Sequence, residues 1–298
     1  MKILTLLTIL LLLLIGLPSG TAQAHKFRLP NELDEVSGLH IASPDRFWWL
    51  TDSGTPPVLY LTDGLGCPVE KRLLRNIKNV DWEELSTDSK GNIYIFDTGN
   101  NRNNRRDLTI YQYQPATEEV RTIRVRYPDQ TAFPPAQRLQ NFDVEGAFWH
   151  RDSLHLFSKN TLKGGNYITK HYIVPATEGT HTAILRDSLY LKNRVVTAAA
   201  LSPDGRTVAL LAYNFKRLLG FLPVSGASIF LFSDFPEGQF LKGKRRKIGT
   251  KSFLLATQFE SIDWLDNETL YIASEKTVFI RPKSKRIRVP TNHRTIRN

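Results

Sequence analysis

The chain has 298 residues, of which 41% are hydrophobic and 23% charged, so it is long enough to bury a large apolar core. Its one cysteine, Cys67, excludes an intrachain disulfide framework. Lysine and arginine number 40 against 29 acids, and the resulting formal net charge of +11 favours anionic partners.

The first 24 residues have the layout of a secretory signal peptide. Lys2 supplies a short positive segment, an apolar run follows from Ile3 to Leu17, and Ala22-Gln23-Ala24 offers a small-residue cleavage site. The run is shorter than the roughly 20 residues that span a bilayer, and no later segment comes close to that length. We therefore expect a mature protein over residues 25–298 that is secreted or periplasmic and has no transmembrane segment.

After the leader, short alternating or apolar runs separated by Gly, Pro, Asn and Asp predict an all-β fold. One hairpin pattern recurs: a short strand, a polar turn containing Asp, and a strand rich in aromatic or aliphatic residues with a polar end. Its copies are SGLHIASPDRFWWLTDSG (37–54), EELSTDSKGNIYIFDTGN (83–100), EGAFWHRDSLHLFSKN (145–160), TAAALSPDGRTVALLAYN (197–214) and ESIDWLDNETLYIASEK (260–276).

One or two further strand candidates follow each copy, such as PVLYLTD with EKRLLR after the first and TVFIRP with KRIRV after the last. Units of four strands, repeated about five times, are typical of a β-propeller with four-stranded antiparallel blades. A β-sandwich would not predict one hairpin recurring with the same polar ends. We predict a single propeller domain over 25–298, with five blades preferred over six, and a basic C-terminal tail from about residue 281.

The propeller geometry places the two polar ends of each hairpin on one face. The first strand of a blade lines the central channel, and its start lies beside the end of the second strand. The strand starts that we expect around the channel mouth are Ser37, Glu83, Glu145, Thr197 and Glu260. Just outside them we expect Asp52, Asp97, Lys159, Asn160, Asn214, Glu275 and Lys276, with Asp81 and Asp143 preceding two of the ring glutamates.

Glu83, Glu145 and Glu260 around a narrow channel would repel one another unless a cation, protons or basic side chains compensate them. Carboxylate oxygens suit Ca²⁺, which takes about six to eight oxygen ligands. We therefore take these three residues and Asp97 as candidate metal ligands. Alternatively, the recurring acids bond backbone amides of the neighbouring blade and hold the ring closed.

The loop DTGNNRNNRR, which begins at Asp97, is a separate signal. Asn100 and its neighbours offer oxygens in a glycine-containing turn, where asparagine tolerates unusual backbone angles. The loop can coordinate a cation or place Arg105 over the pocket; alternatively, its side chains cap its own backbone. Arg105, Lys159 and Lys276 are the candidates for neutralising the ring or for binding an anionic ligand.

These segments resemble a group of secreted bacterial β-propellers. The similar stretches are DWEEL at 81–85, NIYIFDTGNNRNNR, NFDVEGAFW, LHLFSKN and TAAALSPDGRTVALLAYN. The resemblance is to phytase-like and esterase-like propellers and, more distantly, to the NHL and strictosidine-synthase type, and it implies a fold more than an activity. Phytase-like relatives hold calcium through carboxylates at the channel mouth and bind a phosphate ester there. The matching carboxylates would be Glu83, Asp97, Glu145 and Glu260.

Two classes of function remain open, and the sequence does not decide whether the protein is an enzyme. The first is a binding propeller that takes a small-molecule or cell-surface ligand at the acidic mouth through Ca²⁺. The second is a metal-dependent hydrolase of a phosphate ester, lactone or related ester, with Glu83, Glu145 or Glu260 as the base. The first is preferred, because no nucleophile or acid–base pair stands out and no HExxH, CxxC, GxSxG or Walker motif is present.

Basic residues concentrate in outer-strand and terminal segments: EKRLLR, VRTIRVRY, KGKRRK and the tail. They indicate attraction to an anionic surface or, alternatively, protection of blade edges against aggregation. Nucleic acid is not an expected partner, because the aromatic residues fall in core strands instead of alternating with the basic runs. His150 and His155 flank a turn and are expected on the surface.

Overall fold

The computed structural model describes residues 26–159, 167–218, 222–249, 258–277 and 280–290, so the predicted signal peptide and Asn160 lie outside the described residues. No helix within these ranges is long and apolar enough to cross a bilayer. Short 3-10 helices lie at Asn31–Leu33, Gln137–Leu139 and Phe240–Lys242. The strands are β1 (Lys26–Arg28), β2 (Val36–Ser43), β3 (Arg46–Thr51), β4 (Val58–Thr62), β5 (Pro68–Leu73), β6 (Glu84–Thr87), β7 (Ile93–Asp97), β8 (Thr109–Gln114), β9 (Glu119–Arg126), β10 (Asp143–His150), β11 (Ser153–Lys159), β12 (Ile168–Pro175), β13 (Gly179–Thr182), β14 (Ile184–Tyr190), β15 (Val195–Leu201), β16 (Thr207–Leu218), β17 (Leu222–Ser233), β18 (Lys244–Gly249), β19 (Phe259–Asp266), β20 (Thr269–Ser274) and β21 (Lys283–Arg288).

The strands form five blades around a central channel, which confirms the all-β propeller and its preferred blade number. The blades, each written from the inside outwards, are β2-β3-β4-β5, β6-β7-β8-β9, β10-β11-β12-β14, β15-β16-β17-β18 and β19-β20-β21-β1. The inner strands β2, β6, β10, β15 and β19 contact one another in this order, and β19 contacts β2, so the ring is closed. The short strand β13 adds a parallel partner to the outer edge of β9.

The first and last strands of the described chain share one blade. β1 pairs antiparallel with β21, so blade 5 contains strands from both ends of the propeller. Phe27 of β1 is buried, and its ring centroid lies 6.1 Å from the centroids of Phe47 in blade 1 and Tyr271 in blade 5. The predicted strand candidate KRIRV, within the basic C-terminal segment, therefore overlaps the blade strand Lys283–Arg288, which helps to close the ring.

β-Bulges at the starts of inner strands set the direction of the ring residues. In blade 1, Val36 pairs with Thr51 and Gly38 pairs with Leu50, so Ser37 is the extra residue. A bulge re-aims the extra side chain, in this case at the channel mouth. The same register shift occurs at Glu145, Thr197 and Glu260.

Hydroxyl groups join adjacent inner strands. Ser37 Oγ donates a hydrogen bond to the Glu83 carbonyl at 2.7 Å, and Thr197 Oγ1 donates to the Phe259 carbonyl at 2.8 Å. Acids also bond backbone amides of neighbouring blades: Glu84 Oε1 accepts from Leu39 N at 3.3 Å, Asp263 Oδ2 accepts from Ile41 N at 2.7 Å, and Asp143 Oδ1 accepts from Asn100 N. The ring-closing role that we considered for the recurring acids is therefore shared between several acids and the hydroxyl residues Ser37 and Thr197.

The expectation of a surface location is wrong for His155. This residue is 4% exposed, and its Nδ1 lies 2.9 Å from His171 Nε2. His171 Nδ1 in turn lies 2.9 Å from Asp187 Oδ1. The side chains of β11 are buried on both faces, so the polar residue in the sequence Leu154-His155-Leu156 does not mark a solvent face. The hydrogen bonds within the blade satisfy the buried imidazoles instead.

The buried histidines predict acid-sensitive stability. Burial, followed by repulsion from His171, lowers the pKa of His155 to about 2. The pKa of histidine in an unfolded chain is about 6.5. Below that pH the unfolded chain therefore binds more protons than the folded protein does, and stability falls as the pH falls. His155 should lower the free energy of unfolding by up to about 1.4 kcal/mol for each pH unit of acidification, and His155→Gln should abolish this contribution. Urea unfolding between about pH 6.5 and 5 measures it.

The half-buried His181, whose Nε2 lies 2.8 Å from the Thr177 carbonyl oxygen, supplies the control for this experiment. The slope of stability against pH should be unchanged in His181→Gln. If His155→Gln kept the slope of the wild-type protein, the buried imidazole would not be the source of the acid sensitivity.

Candidate functional site

Carboxyl groups from blades 1, 2, 3 and 5 converge on one mouth of the channel. Oxygens of Asp52, Asp81 and Glu83 lie within 4.8 Å of one another, and so do oxygens of Glu83, Asp143 and Glu145. Glu83 belongs to both groups and is therefore the centre of the cluster. We call these five residues the carboxylate cluster. They come from polar positions at the strand ends that the hairpin repeat marks in the sequence.

Burial makes the charges of the carboxylate cluster unfavourable. Glu83 and Glu145 are each 4% exposed. Burial raises the pKa of Glu83 well above its usual value, and repulsion from Glu145 and Asp52 adds to this effect. Burial also raises the pKa of Glu145, although attraction to Lys159 opposes the shift. For Asp81, burial and repulsion from Asp52 raise the pKa to about 7.

Basic side chains compensate only part of this charge. Lys159 Nζ forms an ion pair with Glu145 Oε1. Burial works against the charge of Lys159, but the combined attraction of Glu145, Tyr213, Asp143 and Glu260 outweighs it and holds the pKa of the lysine well above its usual value. Among the residues that the structure describes, no ion pair with lysine or arginine is formed by Asp52, Asp81, Glu83, Asp143, Glu260 or Glu275.

Asp97 and Asn100 position the carboxylate cluster and do not belong to it. Asp97 Oδ1 accepts hydrogen bonds from Asp81 N at 3.0 Å and from Arg105 Nη1 at 2.9 Å. Asn100 N donates to Asp143 Oδ1 at 2.5 Å, and Asn100 Oδ1 accepts from Arg105 N at 3.0 Å. Asp97 Oδ2 also accepts from Val80 N at 3.4 Å, so both carboxylate oxygens support the backbone at Asp81, and Asp97 is not one of the clustered metal-ligand candidates.

Gly99 is a site residue that the sequence reasoning missed. A Cβ atom at position 99 would lie 2.2 Å from Glu83 Oε1 and 2.4 Å from Asp81 Cγ. Only glycine therefore lets the backbone of the loop lie against these two carboxyl groups. The glycine within DTGNN was the available signal, but the approach of the carboxylates could not be read from it.

Glu260 and Glu275 form a second pair of acids beside the carboxylate cluster. Gln258 Nε2 donates to Glu260 Oε1 at 3.3 Å and to Glu275 Oε2 at 2.8 Å. Burial raises the pKa of Glu260 well above its usual value, and repulsion from Glu275 adds to the shift. Burial also raises the pKa of Glu275 to about 6, while its hydrogen bond with Glu260 opposes the rise. Glu260, a predicted metal ligand, thus pairs with Glu275 beside Gln258 and lies outside the carboxylate cluster.

Two further predicted residues make contacts outside the carboxylate cluster. Lys276 Nζ forms an ion pair with Asp34 Oδ2 at 2.5 Å, and both side chains are partly exposed. Asn214 lies on β16 opposite Gly226 of β17, with its Oδ1 2.9 Å from the position of a Cβ at 226. Blade 4 instead contributes Tyr213, a residue that we did not predict, which is buried and interacts electrostatically with Lys159.

The carboxylate cluster fits a calcium ion. Its donors are all carboxylate oxygens, which hard cations prefer. Glu145 Oε2 is buried and has no hydrogen-bond partner among the described residues, so one oxygen of the cluster is available as a ligand. The space that a side chain at position 99 would fill is kept open beside Glu83. These features define a five-bladed β-propeller with a cluster of carboxyl groups at its channel mouth.

Comparison with known proteins adds to the description of the fold. No protein-family model matches the sequence, and no curated protein matches it. An α-L-arabinofuranosidase from Fusarium graminearum, solved with an iminosugar inhibitor, is 10% identical over 89% of this chain and 98% of its own, with a TM-score of 0.50. An α-L-arabinanase from Penicillium chrysogenum is 10% identical over 88% and 96%, with a TM-score of 0.49. Identity this low shows a shared fold alone, and the resemblance to phytase-like and esterase-like propellers stays a prediction.

Proposed function

We propose that the carboxylate cluster binds Ca²⁺ and that an oxygen-bearing ligand docks on the bound cation. The observation that carries this proposal is the excess of buried and half-buried carboxyl groups around Glu83 over the single ion-paired lysine, Lys159. A divalent cation would remove the mutual repulsion that raises the pKa values of these acids. Calcium suits a site rich in carboxylates better than magnesium, which dehydrates reluctantly and keeps several water ligands.

A hydrolase is the second candidate, and the pair formed by Glu260 and Glu275 favours it. A proton shared by the two acids would keep Glu260 as an acid, while Glu275, with a pKa of about 6, is ionised at neutral pH and suits a general base. A cation next to this pair would polarise a carbonyl or phosphoryl oxygen. The candidate substrates are phosphate esters, lactones and related esters.

A panel of phosphomonoesters, lactones and aryl esters separates the two candidates. For the hydrolase, we expect turnover with Ca²⁺ and none with EGTA, and we expect Glu275→Gln to lower kcat by about 10²–10⁴-fold. Glu268→Gln, at an exposed position of blade 5, is the control and should keep full activity. If no substrate of the panel is turned over, the binding function stands alone, and turnover that survives Glu275→Gln would rule out this acid–base pair.

We also propose that the outer strands of blades 4 and 5 attach the protein to an anionic polysaccharide. Arg246 Nη1 donates to the Pro290 carbonyl at 2.7 Å, so the two blade edges adjoin. The basic side chains on these edges are Lys26, Arg28, Lys244, Arg245, Arg246, Lys247, Lys283, Lys285, Arg286 and Arg288. In the described part of the chain, only Lys244 among them forms an ion pair, with Asp234.

Retention on immobilised heparin tests this surface. The wild-type protein should elute at higher salt than the variant Arg245→Glu, because fewer counterions are exchanged by the variant. Lys90→Glu, in an exposed turn of blade 2, changes the net charge at a different place and should shift elution less. Equal shifts from the two charge reversals at matched net charge would mean that overall charge, and not this edge, causes retention.

A further inference from the structure

A cavity of about 480 Å³ adjoins the loop that supports the carboxylate cluster. Its polar lining consists of Arg105, Arg106, Arg126, Tyr127 and Gln130, with Phe133 beside them. No acid occurs among the described residues that line it. We call it the arginine pocket. Its charge is opposite to that of the carboxylate cluster.

Two buried donors at the arginine pocket have no acceptor. Tyr127 is 6% exposed, and its hydroxyl forms no hydrogen bond among the described residues. Arg105 Nη2 is buried and likewise lacks a partner there. A buried donor without an acceptor is unfavourable, so native structures normally satisfy it with a protein group, a water molecule or a ligand. These donors therefore point to an acceptor that binds in the pocket.

The arginines of the pocket differ in their free charge. Arg105 is neutralised by Asp97 and Asp107, at 2.9 and 3.1 Å. Arg106 and Arg126 form no ion pair within the described ranges, and the guanidinium of Arg106 lies 3.9 Å from the ring centroid of Phe133. The aromatic ring holds this planar group in place. Arg106 and Arg126 consequently supply net positive charge, while Arg105 and Tyr127 supply directed donors.

Arg105 connects the arginine pocket to the channel mouth. Its Nη1 donates to the Gly99 carbonyl at 2.8 Å, and Gly99 lies against Glu83 and Asp81. One guanidinium group therefore faces the loop beneath the carboxylate cluster on one side and lines the pocket on the other. A ligand with an oxygen-rich part and a charged end has groups that match both places.

We propose that the arginine pocket is an oxyanion-binding subsite for a carboxylate or phosphate group. Guanidinium groups bind both through charge-assisted, often bidentate hydrogen bonds, and a tyrosine hydroxyl adds a neutral donor. Binding of the oxyanion depends on the residues of the pocket alone. Its role in selecting an anionic ligand for the channel mouth rests on the proposed calcium-dependent function.

Isothermal titration calorimetry with inorganic phosphate and, separately, with gluconate tests the proposal on the mature protein at constant ionic strength. We expect saturable binding of at least one of these anions at one site, weakened at least about tenfold by Arg106→Gln and also weakened by Tyr127→Phe. A preference for phosphate would indicate a phosphate-bearing ligand, and a preference for gluconate would indicate a carboxylate-bearing one. Arg121→Gln, which alters an exposed arginine outside the pocket, should bind as the wild type does.

Absence of saturable binding of both anions, or binding that neither pocket variant weakens, would overturn the proposal. Tyr127→Phe keeps the aromatic ring, whose centroid lies 4.7 Å from that of Tyr172. A loss of anion binding in this folded variant would therefore be due to the missing hydroxyl group. Calcium binding is measured in the same samples. If an anion binds and calcium does not, only the proposed function of the carboxylate cluster is refuted. If calcium binds and neither anion does, only the arginine pocket is refuted.

Discussion

Glu83→Gln should abolish most of the thermal stabilisation that Ca²⁺ gives the wild-type protein. Glu83 is the residue common to both groups of three carboxylates, so its neutral amide would weaken both halves of the site. At a calcium concentration about 100 times Kd, binding adds about 2.7 kcal/mol to the stability of a folded protein. The variant should lose most of that increment. Thermal unfolding followed by circular dichroism, in excess Ca²⁺ and in EGTA, measures it.

The same variant has the opposite expected effect without calcium. In EGTA, Glu83→Gln should unfold at a higher temperature than the wild type, because the substitution removes a buried carboxyl group that Glu145 and Asp52 repel. This reversal of sign separates a metal ligand from a structural hydrogen-bonding residue. A variant that is less stable than the wild type by the same amount in both conditions would identify Glu83 as structural.

Glu84→Gln is the matched control, since Glu84 is the next residue and is equally buried. Its Oε1 accepts hydrogen bonds from Leu39 N and Leu85 N, which an amide oxygen can also accept. It belongs to neither group of the carboxylate cluster. Calcium should therefore stabilise Glu84→Gln as much as it stabilises the wild type.

Phe27→Ala should destabilise the propeller by about 3–5 kcal/mol, because a large buried ring is removed and leaves a cavity. Phe27 is the buried residue of the three-residue strand β1, and it packs against Phe47 and Tyr271 in the two blades that meet at the closure. Loss of this ring weakens the contact between blades 5 and 1 as well as the pairing of β1 with β21. The free energy of unfolding from urea titration measures the effect.

Lys26→Ala tests whether the effect belongs to the buried ring. Lys26 is exposed on the same strand and pairs with Lys285 through the backbone only. Its truncation should change stability by less than about 0.5 kcal/mol. A loss below about 1 kcal/mol for Phe27→Ala would mean that the ring is held closed without β1.

The topology could be predicted because the sequence repeats it. Each hairpin copy carries its polar ends at equivalent positions. Because equivalent positions of the blades share one face of a propeller, the repeat predicts that Asp52, Glu83 and Glu145 lie on the same face. The alternation of apolar residues within the hairpins also identified the inner and second strands. The hydroxyl residues Ser37 and Thr197 were located correctly for the same reason, although their bonds to neighbouring carbonyls depend on distances that a repeat does not encode.

The supporting contacts of the site could not be predicted, because they depend on the path of a loop. Asp97 ends a strand at the mouth, as expected, but the turn after it brings Arg105 back to its carboxylate. Gly99 and Tyr127 acquire their roles only from that path. His155 was misplaced for a different reason: a strand buried on both faces shows no alternation, so a polar residue in it does not indicate a surface.

The most direct measurement is the anomalous difference density of a crystal grown or soaked in CaCl₂. Calcium in the carboxylate cluster would give one peak at the channel mouth, with oxygens of Glu83 and of at least two of Asp52, Asp81, Asp143 and Glu145 at about 2.3–2.6 Å. A map without a peak there, in which Glu83 lies hydrogen-bonded to a neighbouring acid, would contradict calcium binding at this site.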